Sequence, residues 1–121
     1  MDKVRVLNIQ FTPKIGDKVK NCNIVGEFIA QNAQSGLDLV VMPEFFSTGI
    51  DDESFQKQPE NENNSYVLNY FIELARQFQT NIICGSIIEQ TSDGRLFNTS
   101  YAIDRYGKLS ENTEKFIFII I

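Results

Sequence analysis

Residues 37–49 read LDLVVMPEFFSTG, a solid apolar run that stops at Pro43 and is followed at once by Glu44. Leu39, Val40, Val41 and Met42 leave no polar face for water, so residues 38–42 read as a short strand buried on both faces. Proline lacks the N–H that a central ladder needs, so the chain must leave the sheet at Pro43, and Glu44 falls at the carboxyl end of the strand. Open α/β sheets place their ligands at such ends. A carboxylate delivered there by the core, flanked by Phe45 and Phe46 that can exclude water, is suited to act as a general base. An ordinary surface glutamate is the competing reading.

Working outward, VRVLNIQF at residues 4–11 predicts a first strand, mostly buried, before Thr12-Pro13. Lys14-Ile15-Gly16 turns the chain. Asp17 has the chemistry to cap a helix, and Val19, Cys22, Val25, Ile29 and Ala33 follow at three- and four-residue steps that make one apolar stripe, closed by Gly36. Strand, helix and the LDLVVM strand form a βαβ unit, whose right-handed crossover makes the two strands parallel. Residues 50–64 shift to Asp, Glu, Gln and Asn, with Phe55 the only large apolar residue. They read as a loop, or a loop with one helical turn: a solvated acidic surface, or the wall or lid of a pocket.

A second helix is predicted at about residues 65–79, with Asn64 or Ser65 as its cap and Val67, Leu68, Phe71, Ile72, Ala75 and Phe78 on one face. NIICGSII at 81–88 is a third buried strand, Thr91 to Gly94 a turn, and LFNTSYAID at 96–104 a fourth strand. Tyr106-Gly107 turns again, and Lys108 begins a fifth strand or a loop leading to one. The order β-α-β-α-β-β predicts an α/β fold, a mixed sheet with two helices on one face. The run FIFIII at 116–121 has no following element to cover it, so the chain reads as incomplete.

The 121 residues have room for one domain, and 42% apolar residues with 12% aromatics suffice for a packed core. A formal charge of -5, from 11 basic and 16 acidic residues without any basic run, argues against a nucleic-acid partner. The charged N-terminus MDKVRV is unlike a signal peptide and no apolar run could span a bilayer, so no membrane attachment is expected and a cytoplasmic location is. Two cysteines, Cys22 and Cys84, make no disulfide framework or zinc spacing. Histidine is absent, which removes Ser-His-Asp and Cys-His catalysis from the chain and makes most transition-metal sites improbable, so no metal is expected.

Four segments in order give the chain a resemblance to the N-terminal half of a carbon-nitrogen hydrolase of the nitrilase superfamily: VRVLNIQF with its Asp17-initiated helix, LDLVVMPEFFSTG, NIICGSIIEQ, and LFNTSYAIDRYGKL leading to Glu114-Lys115. The PE at a strand end, with TG following, is the most specific element, and the resemblance runs from Val4 to Lys115. It implies an αββα sandwich, of which this chain is the N-terminal half, and a Glu-Lys-Cys triad acting without a cofactor on a small amide or nitrile. Glu44 corresponds to the glutamate, which serves proton transfers to and from the thiol, the leaving amine and water. Lys115 corresponds by position to the lysine, a fixed cation for the oxyanion of the tetrahedral intermediate. The Ile-His expected after that lysine is missing, and Lys108 is the fallback.

No segment resembling the family's I-C-Y-D nucleophile stretch is present, and Cys22 and Cys84, on a buried helix stripe and in a buried strand, read as inert core thiols. Residues 1–121 thus read as a partial carbon-nitrogen hydrolase domain, truncated after the catalytic-lysine region. Losing one adenine from AAA-ATT-CAT, which encodes Lys-Ile-His, yields a frame reading Lys-Phe-Ile, as in Lys115-Phe116-Ile117, so a frameshift is one source of such an ending. PEFFSTG is most similar to the omega-amidase and small-amidase branches. The resemblance implies homo-oligomerisation through the helical face. The alternatives are a non-catalytic truncated or pseudoenzyme half-domain and a generic doubly wound ligand-binding domain.

Overall fold

Parallel β1 (Val6–Asn8) and β2 (Leu39–Val41) are joined by α1 (Lys18–Asn32), as the apolar spacing requires of a βαβ unit. The computed structural model of the chain describes residues 3–110 together with the backbone of residues 114–117. Asp17 caps α1, its Oδ1 accepting from Lys20 N at 3.1 Å. That backbone hydrogen bond holds its carboxyl below the usual range. A 3₁₀ turn, Ala33–Ser35, then leads to Gly36 and β2.

After the PEFFSTG turn come α2 (Asp52–Lys57), a two-residue β3 (Glu60–Asn61) and α3 (Tyr66–Phe78). Ser65 caps α3 by accepting from Leu68 N at 3.0 Å, and Gln79 ends it in a left-handed conformation. β4 (Asn81–Gln90) pairs with β5 (Leu96–Ile103), and β5 with β6 (Glu114–Ile117), both antiparallel. The sheet order is β1-β2-β4-β5-β6, with β3 beside β4. The fold is therefore α/β with a mixed sheet, and α1 and α3 pack together on one of its faces, as the sequence predicts.

The core lies between those helices and that face. Cys22, Val25 and Ile29 of α1, Val67, Phe71 and Ala75 of α3, and Val40, Ile82, Cys84, Ile87 and Ile103 of the strands are all buried in it. Each large aliphatic or aromatic side chain fully removed from water contributes about 1.5–3 kcal/mol. The opposite face carries Val6, Leu39, Val41, Ile83 and Ala102, all at least partly exposed.

Four expectations need correction. β2 is buried on one face only, because Leu39 and Val41 lie on the open side. Val19 is 54% exposed and not part of the α1 stripe, whereas the polar Asn21 is fully buried. Asn21 stands there because its amide is satisfied at both ends: Nδ2 donates to Lys14 O and Ser47 O, each at 2.8 Å, and Oδ1 accepts from Lys14 N at 2.8 Å.

The 50–64 stretch is more ordered than a loop. Asp51 caps α2, accepting from Ser54 N at 3.0 Å, and Phe55 is buried. Glu60, far from being solvated, is 4% exposed. It accepts from Lys18 Nζ at 2.5 Å, Val67 N at 2.6 Å and Ser65 Oγ at 3.0 Å, so a paired carboxylate ties the start of α3 to α1. Finally, the first strand spans only part of residues 4–11 and is mostly exposed, whereas Lys108 lies in a turn ahead of a fifth long strand at Glu114–Ile117, in keeping with the second of its two readings. Of the apolar run at 116–121, residues 118–121 lie outside those described.

Candidate active site

Glu44 sits where the proline places it, in the turn that leaves the carboxyl end of β2. The two phenylalanines that follow do not both screen it. Phe46 enters the helix-side core and meets Phe71 edge-on at 5.5 Å, whereas Phe45 packs at 4.6 Å from Phe55, in a small cluster with Ile88. Splitting the pair in this way requires Phe45 to take φ +52°, a left-handed backbone that costs a side-chain-bearing residue about 1–2 kcal/mol.

The turn is held from several directions. Gly49 N donates to Phe45 O at 2.8 Å, Gly16 N to Thr48 O at 2.9 Å, and Asn21 Nδ2 to Ser47 O at 2.8 Å. Phe45 N donates to Ser86 Oγ at 3.3 Å. The α2 segment supports the turn through Phe55, which packs against Phe45.

On the open face Glu44, Gly85, Ser86, Asn98 and Ser100 surround a cavity of about 270 Å³. Two local features of the strands build it. Between Cys84 and Ile87 the β4–β5 register slips by one residue, a bulge that places Gly85 and Ser86 on the open side while Cys84 and Ile87 remain in the core. Gly85 lies against β5 so closely that a Cβ would sit 2.2 Å from Ser100 Oγ and 2.9 Å from Ser100 Cβ. On β5, Thr99 and Tyr101 are buried toward the helices, so Asn98 and Ser100, which alternate with them, face the cavity. Asn98 Nδ2 donates to Glu44 Oε2 at 3.0 Å. Glu44 is otherwise exposed, and among the described residues that line the cavity it is the sole titratable group.

Lys115 lies on β6 with its backbone opposite Thr99, on the strand that neighbours Asn98 and Ser100. Its side chain is outside the described residues, and so is any pairing of it with Glu44. Lys108, the fallback, belongs to the tight turn beyond the far end of β5, where its N–H donates to Asp104 Oδ1 at 2.9 Å and it is exposed.

Both cysteines are buried in the helix-side core. Burial, with the negative charge of Glu60 adding to it, pushes the Cys22 thiol up to about 12 against the opposing pull of Lys18, and full burial raises Cys84 further. Neither is an activated thiol. A second buried acid, Glu89, accepts from the Tyr101 hydroxyl on the same helix side of the sheet. Burial first, and then that bond, raise Tyr101 above the ordinary phenol range.

Asn98, Ser86 and Gly85 escaped sequence reasoning. A glycine followed by serine inside the apolar run NIICGSII was the available signal for a bulge or a close backbone approach. No local pattern marks Asn98, whose partner lies 54 residues away.

The mixed sheet with two helices on one face that carries this cavity is shared with known proteins. The carbon-nitrogen hydrolase profile covers residues 4–119, and the chain belongs to that family. Among individual relatives, the omega-amidase NIT3 of Saccharomyces cerevisiae is 29% identical over 119 residues, covering 93% of this chain and 41% of the relative. The hydrolase in the agr operon of Staphylococcus aureus is 26% identical over 100 residues, covering 83% and 38%.

The crystal structure of Saccharomyces cerevisiae Nit3, a member of branch 10 of the nitrilase superfamily, superposes with a TM-score of 0.82 at 25% identity, covering 93% of this chain and 43% of that one. An amidase from Nesterenkonia sp. shares the fold, with a TM-score of 0.77 at 18% identity over 93% and 42% of the two chains. The chain thus spans less than half the length of these relatives. Among the described residues no helix is long and apolar enough to cross a membrane, and no cluster of His, Cys, Asp and Glu could hold a metal ion.

Proposed function

We propose that the chain carries the acid-base part of a carbon-nitrogen hydrolase site for a small amide or nitrile, with Glu44 as the general base and acid and Lys115 as the oxyanion cation. The observation that carries the reading is Glu44 itself: an exposed carboxylate fixed at a strand end beside a cavity whose other described lining residues are uncharged. In amide hydrolysis such a group takes the proton of a thiol as it attacks the carbonyl carbon. It then gives the proton to the departing amine and takes one from the water that releases the acyl group.

The thiol comes from outside residues 1–121, because both cysteines of the chain are buried on the helix side. That same observation favours a second reading, a non-catalytic half-domain that depends on another polypeptide segment to complete its site. The resemblance to omega-amidases makes short amides the first substrates to test, and pairing through the helical face remains the expected mode of self-association.

The experiment is a panel of short-chain amides and nitriles offered to the folded chain and to Glu44→Gln. Turnover that the substitution removes supports the hydrolase. Turnover that survives the substitution overturns the role of Glu44, and none from folded wild-type protein leaves the half-domain reading.

A further inference from the structure

Two asparagines of this chain hold the PEFFSTG segment, and they do so in different ways. Asn21 is satisfied at both ends of its amide by backbone groups, as a purely structural buried asparagine should be. Asn98 is not. Its Nδ2 donates to Glu44 Oε2 at 3.0 Å, and its Oδ1 is buried without a partner among the described residues. A buried acceptor left unmade is unfavourable, so the orientation of this amide is set by its donor end alone, and the group that sets it is the Glu44 carboxylate.

The consequence for Glu44 is an asymmetry between its two oxygens. Oε2 is engaged by Asn98, while no hydrogen bond to Oε1 occurs among the described residues, and the residue is exposed. A proton arriving at the carboxylate meets the free oxygen first, and a carboxyl protonated on Oε1 still offers Oε2 as an acceptor to Asn98. The backbone is anchored independently, by Phe45 N donating to Ser86 Oγ at 3.3 Å. The bulge sets Ser86 beside Glu44, and strand alternation sets Asn98 there.

We propose that Asn98 is a positioning residue for Glu44, tying Oε2 so that Oε1 is reserved for proton transfer and aimed into the cavity. The proposal rests on the reading of Glu44 as the acid-base group, and it concerns a residue that acts through Glu44 without itself exchanging a proton.

The test follows the Asn98 side-chain amide by NMR in the ¹⁵N-labelled 121-residue chain, from about pH 3 to pH 6, across the ordinary carboxylate range. In the wild type the Asn98 amide resonances are expected to shift with a single carboxylate titration, and in Glu44→Gln that titration is expected to vanish. Glu44 is exposed, so the substitution leaves the core untouched. Asn98 resonances that ignore pH, or that titrate equally in Glu44→Gln, overturn the proposal.

Turnover of a short amide separates this idea from the functional reading. In an active protein Asn98→Ala should lower kcat on the order of tenfold or more with KM little changed, since orientation is lost while substrate contacts are kept. Unchanged kcat defeats the positioning role and spares the hydrolase. Amide coupling to Glu44 without any turnover does the reverse.

Discussion

Ile82 and Ile83 are neighbours on β4 and live in different worlds. Ile82 is fully buried under α1 and α3, and Ile83, one residue on, is half-exposed beside Val41 and Ala102, with which it is in register across the sheet. The same contrast holds for Cys84 against Gly85 and for Thr99 against Asn98 and Ser100. One face of the sheet is closed under the helices and mostly apolar, with Tyr101 donating to Glu89 inside it. The other presents small polar side chains and one carboxylate around a cavity. The strands therefore do two jobs at once, and the period-2 alternation that builds the core on one side delivers the site on the other.

The sharpest way to break that contrast is thiol labelling. In native protein at about pH 8 the buried thiols should react with iodoacetamide on the order of a thousandfold more slowly than in denatured chain, because each unit of upward shift removes a factor of ten in thiolate. A cysteine introduced on the open face by Ala102→Cys should react readily. Fast native labelling without Ala102→Cys means the helix face opens, and the contrast fails.

The same groups predict an alkaline limit to stability. Cys22 is raised from an ordinary value of 9.0 to about 12, so the unfolded chain loses its proton first. The contribution of the buried neutral thiol is fully present below about pH 9 and is lost as pH climbs toward 12, with Cys84 and Tyr101, also raised, acting in the same direction. Denaturant midpoints measured across that range check the sign.

A paired substitution comes next. Ile82→Ala should cost about 2–5 kcal/mol by urea unfolding, the range for a large aliphatic group removed from a packed core. Ile83→Ala, on the open face, should cost about 1 kcal/mol, from the partial burial it loses. Equal costs would mean that the open face is covered in solution. An intermediate effect is expected at the seam between the two regions. Gly85→Ala forces a Cβ against Ser100 and should destabilise by about 1–3 kcal/mol, and adding Ser100→Gly should recover part of the loss, because that removes the Oγ and Cβ it strikes. Calorimetry of the two variants decides it.

What was legible in the sequence was local. The caps at Asp17 and Ser65, the stripe of α3, the turn glycines and the strand that stops at Pro43 each depend on residues within a few positions of one another. Glu44 could be placed for the same reason, since a strand end is written in the run before it. The supports of Glu44 could not. Asn98 reaches it across 54 positions and Ser86 reaches Phe45 across 41, and both depend on strand pairing that no short pattern encodes. Glu60 looked like one more acid in a polar stretch, because its partner Lys18 lies 42 residues earlier on another element. Phe46 was misplaced as a screen for the carboxylate since nothing in FF tells which ring will turn toward the helices.

The bulge at Gly85 and Ser86 inverts the parity of β4. Before it the even-numbered Ile82 and Cys84 look toward the helices, and after it the odd-numbered Ile87 and Glu89 do. One inserted residue thus lets a single strand begin under one numbering and finish under the other. Deleting either Gly85 or Ser86 would remove the bulge and with it a wall of the cavity. The strand would then alternate without interruption and still carry Cys84, Ile87 and Glu89 on the helix side, so the inserted residue serves the cavity face and leaves the packing of the strand's distal half as it is.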